Sequence, residues 1–241
     1  MKKIFSENKR GDFFELVGDS HNHIAFSLRA RPGDRYVVCS GGKDYDCKVE
    51  CVEKSRTVLK ILSSSPSAGE PDISVTLYFG ILKGDKNEYV VQKCTELGTA
   101  AFVPFVSQNC ECRPEHFKKE RITKIIASAA QQCGRGKLPV CGDVVPLEEV
   151  YKSFESYDRV IFPYERERAA SAETALEGIV PGENIAVIIG SEGGFTEEEA
   201  QKLIKAGARA VTLGDRILRA ETASVAVVAA VMYEGGQWKI N

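Results

Sequence analysis

The chain lacks most of the features that would declare a function at once. None of its eight cysteines forms a Cys-x-x-Cys pair. Cys110 and Cys112 stand too close together, with no second pair, for a zinc knuckle. The three histidines, His21, His23 and His116, have no partner cluster, so no metal is expected. No apolar run approaches the ~20 residues of a membrane span. The basic start at Met1–Lys3 is followed by no apolar segment of a secretory signal. These absences predict a cytoplasmic protein with no membrane partner, its thiols reduced and buried. Neither a Gly-x-x-x-x-Gly-Lys-[Ser/Thr] loop nor a Gly-x-Gly-x-x-Gly loop occurs, which removes the usual cradles for ATP and dinucleotides. A net charge of −2 argues against a generally basic nucleic-acid coat, though not against a local patch.

What is present is an ordinary globular composition. With 241 residues, 43% hydrophobic and 27% charged, the chain is long enough for one or two packed domains. Residues 63–72, Ser-Ser-Ser-Pro-Ser-Ala-Gly-Glu-Pro-Asp, lack apolar periodicity and read as a linker. Before them the pattern is β. Asp12–Val17, Asp34–Ser40, Asp44–Val52 and Thr57–Leu62 alternate or run apolar, and Ser40-Gly41-Gly42-Lys43 is a hairpin signal. One small helix is expected near residues 20–28. Short strands with one helix predict a compact barrel.

After the linker, strands and helices alternate. Ile73–Leu82, Ala101–Val106, Asp158–Phe162, Ile185–Ile189 and Ala208–Leu213 read as strands. Asp85-Lys-Asn-Glu88 and Thr196-Glu-Glu-Glu199 read as capping boxes opening helices that end before Gly98 and Gly207. A helix beginning near Pro114 runs to about Cys133. The pattern predicts an α/β domain with a mainly parallel sheet. The last helix, Glu221–Gly235, is apolar nearly all round, which predicts burial on both sides and makes a homodimer plausible.

Ligands of such sheets bind at the carboxyl ends of strands. Gly190-Ser-Glu-Gly-Gly194 lies at one such end and permits close backbone approach. By itself a Gly-Gly loop is more often a tight turn. Arg216, Arg219 and Glu221 follow another strand and precede the apolar helix, a location where charges are paired or employed. An Arg–Glu cap on that helix is the plainer alternative. Lys83, Lys86, Lys93 and Arg135 are basic positions that either converge on a polyanion or are solvated singly.

Taken in order, these blocks resemble the RsmE family, the 16S ribosomal RNA (uridine-N3) methyltransferases of the SPOUT superfamily. The resemblance is carried by Asn22–Arg29 with Pro32-Gly-Asp34, by Lys83–Glu88, by Gln92–Gly98, by Ala130–Arg135 with Pro139, and by the loops at 190–194 and 213–223. Ser191 replaces the family's usual proline, Ala220 its usual threonine, and Asp215 stands where proline is common. The resemblance implies a PUA-like β-barrel over 1–65 that docks RNA, a linker at 66–72, and a SPOUT methyltransferase domain over 73–241. That domain is an α/β fold with a parallel sheet and a C-terminal trefoil knot, which no spacing rule would suggest because knots are nearly absent from proteins. It further implies a homodimer acting on 16S ribosomal RNA, within the small ribosomal subunit, with S-adenosylmethionine as donor and S-adenosylhomocysteine as product. By the same resemblance Gly190, Ser191, Glu192, Gly193, Gly194, Leu213, Gly214, Ile217, Leu218, Thr222 and Ala223 would hold the donor. Arg219, Arg216 and Glu221 would be catalytic. Arg29, Arg31, Arg35, Lys83, Lys86, Lys93 and Arg135 would bind RNA. Another SPOUT enzyme, a nucleotide-binding domain, and an RNA-binding protein that has lost its donor remain as alternatives to that reading.

Overall fold

The computed structural model describes residues 3–239. The chain divides into two compact units. One contains the residues up to Glu70 together with Ala127–Leu138, and the other contains Pro71–Ile126 with the residues from Pro139 onward.

The first unit is built on β1 (Lys3–Phe5), β2 (Lys9–Arg10), β3 (Phe13–Val17), α1 (Gly18–Asn22), β4 (Arg35–Ser40), β5 (Lys43–Val52) and β6 (Arg56–Pro66). Its sheet runs β1-β4-β5-β6-β3-β2. All neighbours are antiparallel except β1 and β4. Period-two alternation sends Phe14 and Leu16 of β3 inward while Phe13 and Val17 face out. With Ile24, Val38, Cys47, Val49 and Leu59 they form the core. The β4–β5 hairpin turns through Gly41 and Gly42, both with positive φ (56° and 73°), which is why two glycines stand there. Ser63–Pro66, expected in the linker, instead extends β6 and pairs with Lys43–Asp46. Ladder hydrogen bonds override the polar composition of that serine run.

The second unit contains β7 (Ser74–Gly80), α2 (Lys86–Leu97), β8 (Ala101–Val106), α3 (Lys119–Cys133, whose last turns group with the first unit), β9 (Val140–Cys141), β10 (Val145–Pro146), α4 (Leu147–Lys152), β11 (Arg159–Pro163), α5 (Ala172–Leu176), β12 (Asn184–Ile189), α6 (Glu197–Lys205), β13 (Arg209–Val211) and α7 (Ala220–Glu234). The sheet order is β10-β8-β7-β12-β11-β13, with β9 beside β8, and every pairing is parallel. Helices cover both faces, so β7 and β12 read as continuous apolar runs. Val75, Leu77 and Phe79 with Ile185, Val187 and Ile189 pack on the α2/α7 side. Tyr78, Ala186 and Ile188 pack on the α4/α6 side. Because the strands are parallel, the loops after β7, β11, β12 and β13 all emerge at one edge, and there the site forms.

Some local expectations change. Thr196 and Glu199 do form a reciprocal capping box on α6. Asp85 makes no side-chain cap on α2; Asn87 instead brackets the turn, accepting from the Leu82 N–H at 2.9 Å and donating to the Leu82 carbonyl at 2.7 Å. Of the cysteines only Cys39, Cys47 and Cys94 are buried, all eight are outside disulfides, and Cys133 is exposed. Within the chain α7 is not enclosed on both sides, since Thr222, Ala226 and Tyr233 are exposed while Val227, Val228, Val231 and Met232 are buried. Among the described residues no helix is long and apolar enough to cross a membrane.

Candidate functional site

A cleft of ≈ 480 Å³ opens at the strand ends, walled by loop 190–195, loop 163–168, segment 212–220 and Ala223. This is the size range of a small-molecule pocket. Two of its loops are those singled out from the sequence. The third, Pro163-Tyr-Glu-Arg-Glu-Arg168, was missed. Its signal was available: it also follows a strand in the parallel pattern, but it holds no glycine to draw notice.

Glycine is required in loop 190–194 by crowding as much as by conformation. A Cβ on Gly193 would stand 2.4 Å from the Asn109 carbonyl oxygen, and one on Gly190 would stand 2.9 Å from the Phe195 ring. Gly194 has φ of +63° and its Cβ would meet the Glu165 carboxylate at 3.1 Å. Asn109 Nδ2 donates to the Gly193 carbonyl at 3.2 Å, so the loop after β8 braces the glycine loop from behind. Asn109 is a supporting residue that sequence reasoning did not find, since nothing local in 107–110 announces the contact.

Ser191 is 5% exposed, and its Oγ is buried without a hydrogen-bond partner. A buried hydroxyl left unpaired costs about 1–3 kcal/mol. Glu221, in the first turn of α7, has an Oε2 with no hydrogen-bond partner either. Its nearest cation is Lys86 Nζ at 3.9 Å, an ion pair too long to be a hydrogen bond. Lys86 Nζ donates to Glu192 Oε1 at 2.7 Å, and the Lys83 backbone N–H donates to the same oxygen at 3.2 Å. Burial pushes the Glu192 carboxyl up, but the Lys86 ammonium and backbone N–H groups outweigh it and hold the carboxyl below its ordinary value of 4.5.

Of the residues expected at a donor site, Gly190, Ser191, Glu192, Gly193, Gly194, Leu213, Gly214, Ile217, Leu218 and Ala223 line the cleft. Thr222 is exposed and is not among its lining residues. Arg216 and Arg219 line it too, both exposed, while Glu221 is half-buried and not among the lining residues. Lys86, expected at the RNA-facing surface, lines the cleft. Lys83 is exposed and paired with Glu111, and Lys93 pairs with Glu96 at 2.9 Å along its own helix. In the first unit Arg29, Arg31 and Arg35 are exposed, and Arg35 pairs with Asp46. Arg29 is the one described non-glycine residue with positive φ, 54°.

Arg135 departs from its expected role. It is 4% exposed, and its Nη2 meets Glu70 Oε2 at 2.9 Å. Glu70 Oε1 also accepts from the Gly136 and Lys137 N–H groups at 2.7 and 3.0 Å. A guanidinium so enclosed ties the 134–137 turn to Glu70 and does not present itself to RNA.

Residues 69–232 match the family described as the RNA methyltransferase domain. The chain is 31% identical over 230 residues to the ribosomal RNA small subunit methyltransferase E of Bacillus subtilis, covering 92% of this chain and 90% of that protein. A solved ribosomal RNA small subunit methyltransferase E from Neisseria gonorrhoeae, bound to S-adenosyl methionine, superposes with a TM-score of 0.89 at 30% identity, covering 99% of this chain and 100% of that one. A putative methyltransferase of Legionella pneumophila, solved with its cofactor SAM, gives a TM-score of 0.85 at 26% identity, with 97% of each chain covered.

Proposed function

The chain belongs to the ribosomal RNA small subunit methyltransferase E family, and on that premise we propose that it transfers the methyl group of S-adenosylmethionine to N3 of one uridine in 16S ribosomal RNA, leaving S-adenosylhomocysteine. The observation that carries this reading is the convergence of loop 190–194 and segment 212–220 on a single cleft with guanidinium groups at its rim. The cleft fits the donor on its own chemistry. Ile189, Phe195, Leu213 and Leu218 offer apolar walls to an adenine. Gly194 and Gly214, with φ of 63° and 96°, let the backbone approach closely. The unpaired Ser191 Oγ awaits a polar atom.

When bound, the donor supplies a methyl group already activated on a sulfonium. The protein's task is then alignment and management of one weakly acidic proton, and much of the gain is positional. Arg219, with Arg216 beside it, stabilises the negative charge that spreads to the uracil carbonyl oxygens as N3 loses its proton. Glu221, in the first turn of α7 with an unfilled acceptor oxygen, is the candidate to receive the proton. Lys86 stands between the two carboxylates, 2.7 Å from Glu192 Oε1 and 3.9 Å from Glu221 Oε2. The target uridine leaves its stack to enter.

In the same reading, the first unit, built on the strands up to Pro66, is a PUA-like barrel that docks RNA backbone through Arg29, Arg31 and Arg35, and the second unit is the catalytic domain. A C-terminal trefoil knot belongs to the same reading and is supported by membership of the family. A homodimer through the open apolar side of α7, Ala226 to Tyr233, is supported by the exposure of that strip. The substrate is the small ribosomal subunit in the cytoplasm. Mass spectrometry of ribosomal RNA from cells lacking the protein tests the reading. One N3-methyluridine should be missing and should return on adding the protein and donor to the unmodified subunit; an intact N3-methyluridine complement would end it.

A further inference from the structure

We propose that Arg168 is an RNA-phosphate clamp at the rim of the methyl-transfer cleft. This rests on the reading above and adds a contact from the loop that sequence patterns did not mark. Charge bookkeeping at the rim leads to it. Arg168, Arg216 and Arg219 line one cleft from two separate loops, and all three are exposed. Among the described residues none of them has a carboxylate within ion-pair distance. Arg216 and Arg219 are assigned to the charge developing on the uracil, and the single carboxylate of the donor's amino-acid part is balanced by its own ammonium. The third cation faces a further anion, and the anion that accompanies every nucleotide entering the cleft is its phosphate.

The loop is also built to hold Arg168 in place. The Glu167 carboxylate Oε1 accepts from three successive backbone N–H groups, those of Arg168 at 2.8 Å, Ala169 at 2.6 Å and Ala170 at 3.2 Å. Those N–H groups hold the Glu167 carboxyl below its ordinary value of 4.5. The Glu167 N–H donates to the Tyr164 carbonyl at 3.0 Å, and the Ala170 carbonyl accepts from Thr212 at 2.8 Å. The Arg168 guanidinium makes one bond to the loop, from Nη1 to the Glu167 carbonyl at 3.2 Å, which leaves its other donors directed to solvent. The neighbouring Arg166 is differently placed, 3.9 Å from Glu197 on α6. An exposed residue whose backbone is pinned on both sides, and whose own carboxylate neighbour is spent on N–H groups, is pre-organised to donate in a fork to two oxygens of a tetrahedral phosphate.

The experiment uses the full chain with small ribosomal subunits from cells lacking the protein. Affinity is measured across a salt series for the natural chain, Arg168→Ala and Arg168→Lys, with donor affinity by calorimetry and thermal midpoint as a check of folding. Loss of one phosphate contact should lower the slope of log affinity against log salt by about 0.7–1, restored by lysine, with donor affinity unchanged. An unchanged slope in folded Arg168→Ala would overturn the assignment. Weakened donor binding with an unchanged slope would overturn it equally, by giving Arg168 to the donor's carboxylate. If alanine unfolds the loop, Arg168→Gln is read the same way. Methylation by the natural chain in the same preparation separates failure of this contact from failure of the parent reading.

Discussion

Replacing Ser191 by alanine should move stability and donor affinity in opposite directions. In the free protein the Ser191 Oγ is buried and has no partner. Removing an unpaired buried hydroxyl relieves a desolvation penalty of about 1–3 kcal/mol. For a domain of this size each kcal/mol raises the thermal midpoint by about 2–4 °C. Ser191→Ala should therefore melt a few degrees higher than the natural chain when no donor is present. The donor complex reverses the sign. If a polar atom of S-adenosylmethionine meets Oγ, the natural chain recovers that penalty on binding and the alanine variant does not. The difference, again about 1–3 kcal/mol, corresponds to a dissociation constant roughly five- to more than a hundredfold weaker. Differential scanning calorimetry without donor and titration calorimetry with donor measure the two terms on one sample. A lower midpoint together with unchanged donor affinity would refute the reasoning, because the hydroxyl would then be hydrated in the free protein and idle in the complex.

Arg219→Ala should abolish methylation while leaving the circular dichroism spectrum and the donor affinity close to normal; turnover within a factor of a few of the natural rate removes its assigned role. Arg135→Ala should destabilise the fold by about 3–5 kcal/mol, read by denaturant titration, because it leaves the partly buried Glu70 carboxylate without its guanidinium. Burial pushes the Glu70 carboxyl up, but Arg135 and the backbone N–H groups of 136 and 137 outweigh it and hold it below its ordinary 4.5. A depressed carboxyl adds stability that is fully present above that value and is lost as pH falls through the lower folded-state value. The natural chain should thus lose stability on the acid side of pH 4.5 more steeply than Glu70→Gln, and parallel acid limbs in the two would contradict the pairing. Ala226→Arg on the open strip of α7 should shift the mass measured by light scattering from dimer to monomer; an unchanged mass would point to a different interface.

The outline of the fold was legible because both units obey simple periods. Phe14 and Leu16 alternate against Phe13 and Val17, and the β12 run Ile185–Ile189 is continuous because helices cover both its faces. Glycines at 98 and 207 end α2 and α6 where left-handed backbone is required, with φ of 113° at each. The site was half legible. Loops 190–194 and 213–223 announced themselves by glycine and by charge next to apolar runs. Loop 163–168 did not, and Asn109 had no local signal at all, since its contact with Gly193 spans 84 positions.

The sequence by itself determined the alternation of strand and helix, the parallel sheet and the two loops able to hold a ligand, since these follow from local periodicity and backbone permission. Only the tertiary structure decided which charges work and which merely hold. Lys86 is turned into the cleft by its bridge to Glu192, Arg135 is buried on Glu70, and Arg168 is brought beside Arg216 and Arg219 from a distant loop. An ion pair depends on distance through space and on desolvation, and neither quantity is encoded by spacing along the chain.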